Sequence, residues 1–150
     1  MPHSYARVAI HLTFSTKNRK PLITPEIRPQ LIAYVVGILR NLDSPSIKTN
    51  VVDTHAHSLF LLSKKRALDF VVEEAKRSSS KWIKTKGPAF ANFYWQIGYA
   101  AFSVGQEDIE RVADYIDRQE EHHRTVSFED EIRALFKQYG LKLDEEHFFD

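Results

Sequence analysis

The sequence predicts an α+β protein with a ferredoxin-like split βαβ core, in which an antiparallel sheet carries two helices on one face. Strand-like and helix-like apolar periodicities follow one another in the order β-α-β-β-α-β, and the breaks between them fall on Pro, Gly and Asp-Ser clusters. After Gly105 only helical patterns remain, so C-terminal helices follow the core and carry the tyrosine discussed below. The whole chain, 1–150, reads as one domain, with a core over about 5–104 and helices over about 105–150.

Tyr5–Ser15 alternates, with Val8, Ile10, Leu12 and Phe14 on one face and Arg7, Ala9, His11 and Thr13 on the other, the pattern of a half-buried strand. The charged run Lys17-Asn18-Arg19-Lys20-Pro21 ends it. Thr24 as cap and Pro25 as first helical residue begin a helix with the stripe Ile27, Leu31, Tyr34, Val35, Ile38 and Leu42. Asp43-Ser44-Pro45-Ser46 breaks the chain before two strands, 47–52 and 55–62, around a tight turn at Asp53-Thr54. Ser63 precedes a helix over 66–84 with Leu68, Val71, Val72, Ala75 and Trp82 on its apolar side, stopped by Gly87-Pro88. Residues 94–104 read as a strand bent at Gly98. Two more helices, about 106–122 and 128–139, follow; Ser127 with Asp130 caps the second and Gly140 ends it.

Composition narrows the function. None of the 150 residues is Cys, which excludes a disulfide framework, a zinc-thiolate site and a Cys nucleophile. The opening MPHSYARVAIHLTF lacks the apolar run of a signal peptide, and no stretch approaches the roughly 20 apolar residues of a membrane span, so a cytoplasmic protein without membrane contact is expected. The net charge is only +1, but it is unevenly spread: residues 1–86 hold 15 basic and 6 acidic side chains, and residues 105–150 hold 6 and 14. A basic body of this kind attracts polyanions. The same asymmetry also lets the two parts attract each other, within the fold or across a dimer.

Two constellations bear on chemistry. In His55-Ala56-His57 the imidazoles sit at i and i+2 of a strand, so both project from the same face. A pair so placed can hold one divalent metal in an open groove, or can be two unrelated polar residues near a turn. Tyr115 and Gln119 lie four residues apart on a helix whose buried stripe is Ile109, Val112 and Ile116. His122 and His123 follow them. A metal held by His55, His57 and Gln119 would polarise a phosphodiester, and Tyr115 would attack phosphorus and become covalently attached.

HAH on a strand, Trp95-Gln96-Ile97-Gly98-Tyr99-Ala100-Ala101-Phe102-Ser103-Val104, and Tyr-Ile-Asp-Arg-Gln-Glu-Glu-His-His-Arg over 115–124 together resemble the single-tyrosine HUH transposases. These are the small transposases of the insertion sequence 200/605 group, including REP-associated tyrosine transposase relatives. The resemblance runs from about Tyr5 to Phe149. It implies a homodimer that cleaves and rejoins single-stranded DNA at hairpin-marked ends through a 5′-phosphotyrosine, with Mg²⁺ or Mn²⁺ and no nucleotide cofactor. It implies that His55, His57 and Gln119 hold the metal and that Tyr115 is the nucleophile, reaching the metal site of its own or the other subunit. Ala56 stands where a bulky apolar residue is usual, and Thr54 where an acidic one is common.

Under this resemblance Lys64, Lys65, Arg66, Lys76, Arg77, Lys81, Lys84 and Lys86, on or beside the second helix, would contact DNA phosphates. Trp82, Phe93, Tyr94 and Trp95 could stack unpaired bases or pack the core. The competing readings are a non-catalytic or domesticated hairpin-binding protein, and a two-histidine phosphoesterase using His11-Leu12-Thr13. The second lacks its partner motif, because His57-Ser58-Leu59 fails at its third position.

Overall fold

The computed structural model describes residues 3–150. Strands β1 (Ala9–Ser15), β2 (Ser46–Val51), β3 (His55–Leu61) and β4 (Ala100–Val104) form one sheet in the order β2-β3-β1-β4, every neighbouring pair antiparallel. This is the expected ferredoxin-like α+β arrangement. Helices α1 (Arg28–Asn41) and α2 (Leu68–Ile83) cover one face. There Ile10, Leu12, Phe14, Ala56 and Phe60 of the sheet pack against Leu31, Val35 and Leu39 of α1 and Val71, Val72 and Ile83 of α2. Each large side chain buried this completely contributes about 1.5–3 kcal/mol.

The opposite face is also covered, which the strand patterns did not foretell. Helix α3 (Ile109–Asp117) packs Val112 and Ile116 on Leu59 and Val104, and α5 (Phe128–Gln138) packs Phe128 and Ile132 on Ala100 and Phe102. Every residue of β1 is consequently buried, where a half-buried strand was expected. Alternation reports two chemically different faces, and here the polar face is enclosed rather than wet.

Three boundaries depart from expectation for local reasons. Helix α1 begins at Arg28, three residues after Pro25, with Pro29 at its second position, in the first turn where no N–H has a helical partner; the first such bond is Leu31 N–H to the Ile27 carbonyl at 2.9 Å. The last strand begins at Ala100 rather than 94, with only a single Thr16–Trp95 bridge before it. In this gap the Gln96 side-chain oxygen accepts from the Ser15 N–H at 2.9 Å, and Lys76 Nζ donates to the carbonyls of Ile97 (2.9 Å) and Gly98 (2.8 Å), so the segment finds its partners outside a ladder. The tyrosine helix is split at Arg118 into α3 and α4 (Gln119–His123). Asn50 Nδ2 donates to the carbonyls of Ile116 (3.0 Å) and Asp117 (3.3 Å), taking acceptors that a continuous helix would use. Ser127 caps α5 as expected, accepting from the Asp130 N–H at 3.1 Å, and Gly140 terminates it with φ of 69°.

Among the described residues, no helix is long and apolar enough to cross a membrane.

Candidate active site

The pleat of β3 sends His55 and His57 to the face under α3, α4 and α5. Both are 1% exposed, so the open groove expected around them is closed. Antiparallel pairing places Thr13 of β1 opposite His57, with His11 on the same face. His11 Nε2 lies 2.8 Å from His57 Nδ1, and Thr54 Oγ1 lies 3.0 Å from His55 Nδ1. Each HxH imidazole is therefore oriented through Nδ1, and each presents Nε2 to the site. Such outer hydrogen bonds fix the ring and its tautomer.

Facing the two Nε2 atoms are Gln119 and a residue with no assigned role in the sequence reading, Glu131 of α5. Gln119 Oε1 accepts from His55 Nε2 at 3.0 Å, and Gln119 Nε2 donates to Glu131 Oε2 at 2.9 Å. Glu131 Oε1 lies 3.0 Å from His57 Nε2 and 3.4 Å from His55 Nε2. The Tyr115 hydroxyl donates to Glu131 Oε2. The break at Arg118 notwithstanding, Tyr115 and Gln119 thus reach one carboxylate from successive turns. His122 Nε2 is 3.6 Å from the same oxygen, whereas His123 turns to Asp53 at 3.0 Å.

Electrostatics follow from enclosure. Burial, with His57 beside it, lowers the His11 pKa to about 3. Burial also lowers His57, against the pull of Glu131. Burial alone would raise the Glu131 carboxyl, but His57 and the hydrogen bonds from both imidazoles outweigh it and hold the group ionised. Burial, then the Glu131 charge, pushes the Tyr115 phenol above its ordinary range.

The donor set fits a divalent cation. One ligand atom each from His55, His57 and Glu131 lies within 4.8 Å of the others, all three residues are buried, and the Gln119 amide oxygen adjoins them. Imidazole, carboxylate and amide oxygen together suit first-row divalent metals.

The basic residues divide. Lys65 and Lys81 are exposed on or beside α2. Arg66 lies over the Phe70 ring, Lys86 over Trp82 and Lys84 over Tyr94. Lys64 donates to the Ser4 carbonyl, and the exposed Arg77 pairs with Glu74. Lys76 must be withdrawn from the set of phosphate contacts: it is 6% exposed, its ammonium held by two carbonyls and the Phe14 ring. Of the aromatics offered for base stacking, Phe93 and Trp95 are core, Trp82 stacks on Tyr34, and Tyr94 is exposed.

Glu131 could have been found. It falls within the stripe Phe128, Ile132 and Leu135, and an acid inside an apolar stripe must have a partner. Lys76 breaks the stripe of α2 in the same way.

No curated protein matches this chain. Among solved structures, a protein assigned as a transposase from Deinococcus radiodurans R1 superposes with a TM-score of 0.62 at 18% identity, over 77% of this chain and 93% of that one. A REP-associated tyrosine transposase bound to a REP hairpin superposes with a TM-score of 0.61 at 19% identity, over 82% of this chain and 73% of that one. Both share the fold. The family profile described as Transposase IS200 like matches residues 4–119, which takes in the sheet, both histidines, Tyr115 and Gln119 and stops short of Glu131. The chain belongs to the IS200-like transposase family.

Proposed function

We propose that this transposase-family protein cleaves and rejoins single-stranded DNA at hairpin-marked ends, with Tyr115 as nucleophile and a divalent metal held by His55, His57, Gln119 and Glu131. The observation that carries the reading is the unbroken run of hydrogen bonds from Tyr115 through Glu131 to His57, with Gln119 closing it onto His55, inside one chain. The family match and the likeness to a hairpin-bound relative support it. The imidazole pair favours Mn²⁺ over Mg²⁺.

A bound divalent ion would supply Lewis-acid polarisation of the phosphodiester. The chain does the rest. Its folded helices hold the phenol oxygen in place for attack, so orientation is settled before the strand arrives. The raised pKa keeps Tyr115 protonated until attack, and Glu131 Oε2, accepting its hydrogen bond, orients the phenol; the phenol proton passes to solvent as the bond to phosphorus forms. A bond forms from Tyr115 Oη to phosphorus and the bond from phosphorus to the sugar 3′ oxygen breaks. That oxygen takes a proton from solvent and leaves as a free 3′-OH. One phosphate ester replaces another, so the step runs backward when a 3′-OH strand is supplied, without a nucleotide cofactor.

The exposed Lys65, Arg66, Arg77 and Lys81, with Lys64 and Lys84, are the proposed phosphate contacts. A second subunit is not needed to bring Tyr115 to the histidines. Part of the charge asymmetry is also satisfied internally, by Lys48 with Asp117 (2.8 Å) and Arg19 with Glu129 (3.4 Å). The role left for a homodimer is to hold two DNA ends for joining.

The test is a denaturing gel of a labelled hairpin strand with Mn²⁺ or Mg²⁺. Wild type should form a covalent adduct that Tyr115→Phe does not form, while hairpin binding persists in both. Hairpin binding with no adduct from the wild type would leave a non-catalytic hairpin-binding protein. An adduct in Tyr115→Phe would move the nucleophile to another tyrosine.

A further inference from the structure

Beside Tyr115 the surface opens into two adjoining cavities of different chemistry. One, of about 320 Å³, has walls of Val112, Val126, Leu135 and the Tyr139 ring, with His11, Gln138 and, at its inner end beside Tyr115, the Glu131 carboxylate as polar groups. The other, of about 510 Å³, is polar, lined by Arg111, Arg118 and His122 together with Asp114 and Glu121. Tyr115, Arg111 and His122 belong to both. The nucleophile therefore stands where an apolar recess meets a charged one.

A single-stranded nucleotide has the same division: a flat, largely apolar base with polar edges, and a charged sugar-phosphate chain. We propose that the apolar cavity takes one unpaired nucleobase next to the scissile phosphate, making it a base-binding subsite of the cleavage site. This rests on the single-stranded DNA reading above and goes beyond it, because it assigns recognition at the cut to the protein.

Several features support this occupant. The volume lies at the lower end of small-ligand pockets, about 300–1,000 Å³, and suits a base better than a larger group. The Tyr139 ring is fixed by stacking on Phe102, with centroids 4.5 Å apart and planes 20° apart, so it offers a stacking surface that costs little to order. The Gln138 amide is exposed and carries both donor and acceptor for a base edge. At the mouth, Arg111 and Arg118 are 62% and 68% exposed and held only by loose surface pairs, to Asp108 at 3.4 Å and Asp114 at 3.3 Å. Exposed pairs of this kind are weak and readily exchanged for a phosphate. They are two of the six basic residues in an otherwise acidic C-terminal segment, and both lie at the nucleophile.

The experiment uses hairpin strands carrying 2-aminopurine or an abasic site at each position around the mapped cut, with the full chain. In Tyr115→Phe, which binds without reacting, 2-aminopurine fluorescence should be quenched at one position adjoining the scissile phosphate. An abasic site there should lower wild-type kcat/KM about ten-fold, the loss expected of one stacked base. Ala134→Trp, which fills the cavity from its exposed rim, should remove the quench and make wild-type and abasic strands react alike. Adduct formation with no position-specific quench and no abasic effect overturns the subsite. A quench without any adduct in the wild type overturns the cleavage reading and leaves the subsite standing.

Discussion

Tyr115 and His57 are bound to the two oxygens of a single carboxylate, that of Glu131: the phenol donates to Oε2, and His57 Nε2 lies 3.0 Å from Oε1. One side chain thus ties the proposed nucleophile to the imidazole pair proposed to hold the metal. Glu131→Gln keeps the shape and removes the charge. Mn²⁺ affinity by calorimetry should fall at least ten-fold, and the rate of adduct formation by at least as much, because the charged group that orients the phenol is lost as well. Unchanged Mn²⁺ affinity would remove Glu131 from the ligand set.

Lys76 and Lys81 should separate structure from DNA contact. Lys76→Ala removes the donor that holds the Ile97 and Gly98 carbonyls and leaves a gap beside the Phe14 ring, and should cost about 1–3 kcal/mol in urea unfolding. Lys81→Ala, on the exposed side of α2, should leave stability within about 0.5 kcal/mol. It should weaken hairpin binding and flatten the salt slope by about one unit. The reverse pattern would mean that α2 is not the DNA-facing helix.

Stability should fall with acid sooner than carboxylate titration alone requires. The folded chain holds His11 down to about 3 and His57 below 6.5, so below pH 6.5 the unfolded chain binds protons that the folded one refuses. Stability is therefore full above about 6.5 and is lost progressively toward pH 3, at up to about 1.4 kcal/mol per pH unit for each imidazole. The depressed Glu131 acts in the same direction below its ordinary range near 4.5. With metal chelated, urea unfolding at pH 7.5 and 5.0 should differ by about 3 kcal/mol, and His11→Gln should roughly halve the difference. Equal stability at both values would contradict the burial of these rings.

Ala56 should tolerate no bulky replacement. It faces the α1–α2 core, where the free space among Leu12, Phe14, Val35 and Leu39 is about 10 Å³, too little for added methyl groups. Ala56→Leu should cost about 1–3 kcal/mol by overpacking. Because its side chain points away from His55 and His57, Mn²⁺ affinity should persist. A more stable Ala56→Leu protein would show that the core yields more than its packing indicates.

The order of strands and the shared face of His55 and His57 were legible because a strand has period two and tertiary packing obeyed it. Gln119 was legible as a helical neighbour of Tyr115, although Asn50 splits the helix between them. His11 and Glu131 were not read as part of the site, because their importance comes from enclosure. Periodicity places His11 on the polar face of β1 without revealing that α3 and α5 close over it. Glu131 shares its turn with Glu129 and Asp130, and acids in a first turn are ordinary. Its place within the apolar stripe was the one distinguishing sign, and Lys76 carried the same sign on α2.

The span of chain that Glu131 closes has a consequence for how the protein is made. The partner of His57 lies 74 residues further along the sequence, and the partner of His55 lies 64 further along. Residues 3–61 contain three adjacent strands and α1, and can acquire native contacts while the C-terminal helices are still being synthesised. The carboxylate that holds the tyrosine arrives with α5, after the sheet and the tyrosine helix have been made, and its contact with His57 closes a loop of 74 residues, which makes it slow to form. A nascent or refolding chain should therefore pass through a stage with an ordered β1–β3 pair and an unheld phenol. Pulsed hydrogen exchange should find amides of β1 and β3 protected before those of α5. Simultaneous protection would mean instead that sheet and catalytic cover fold as one unit.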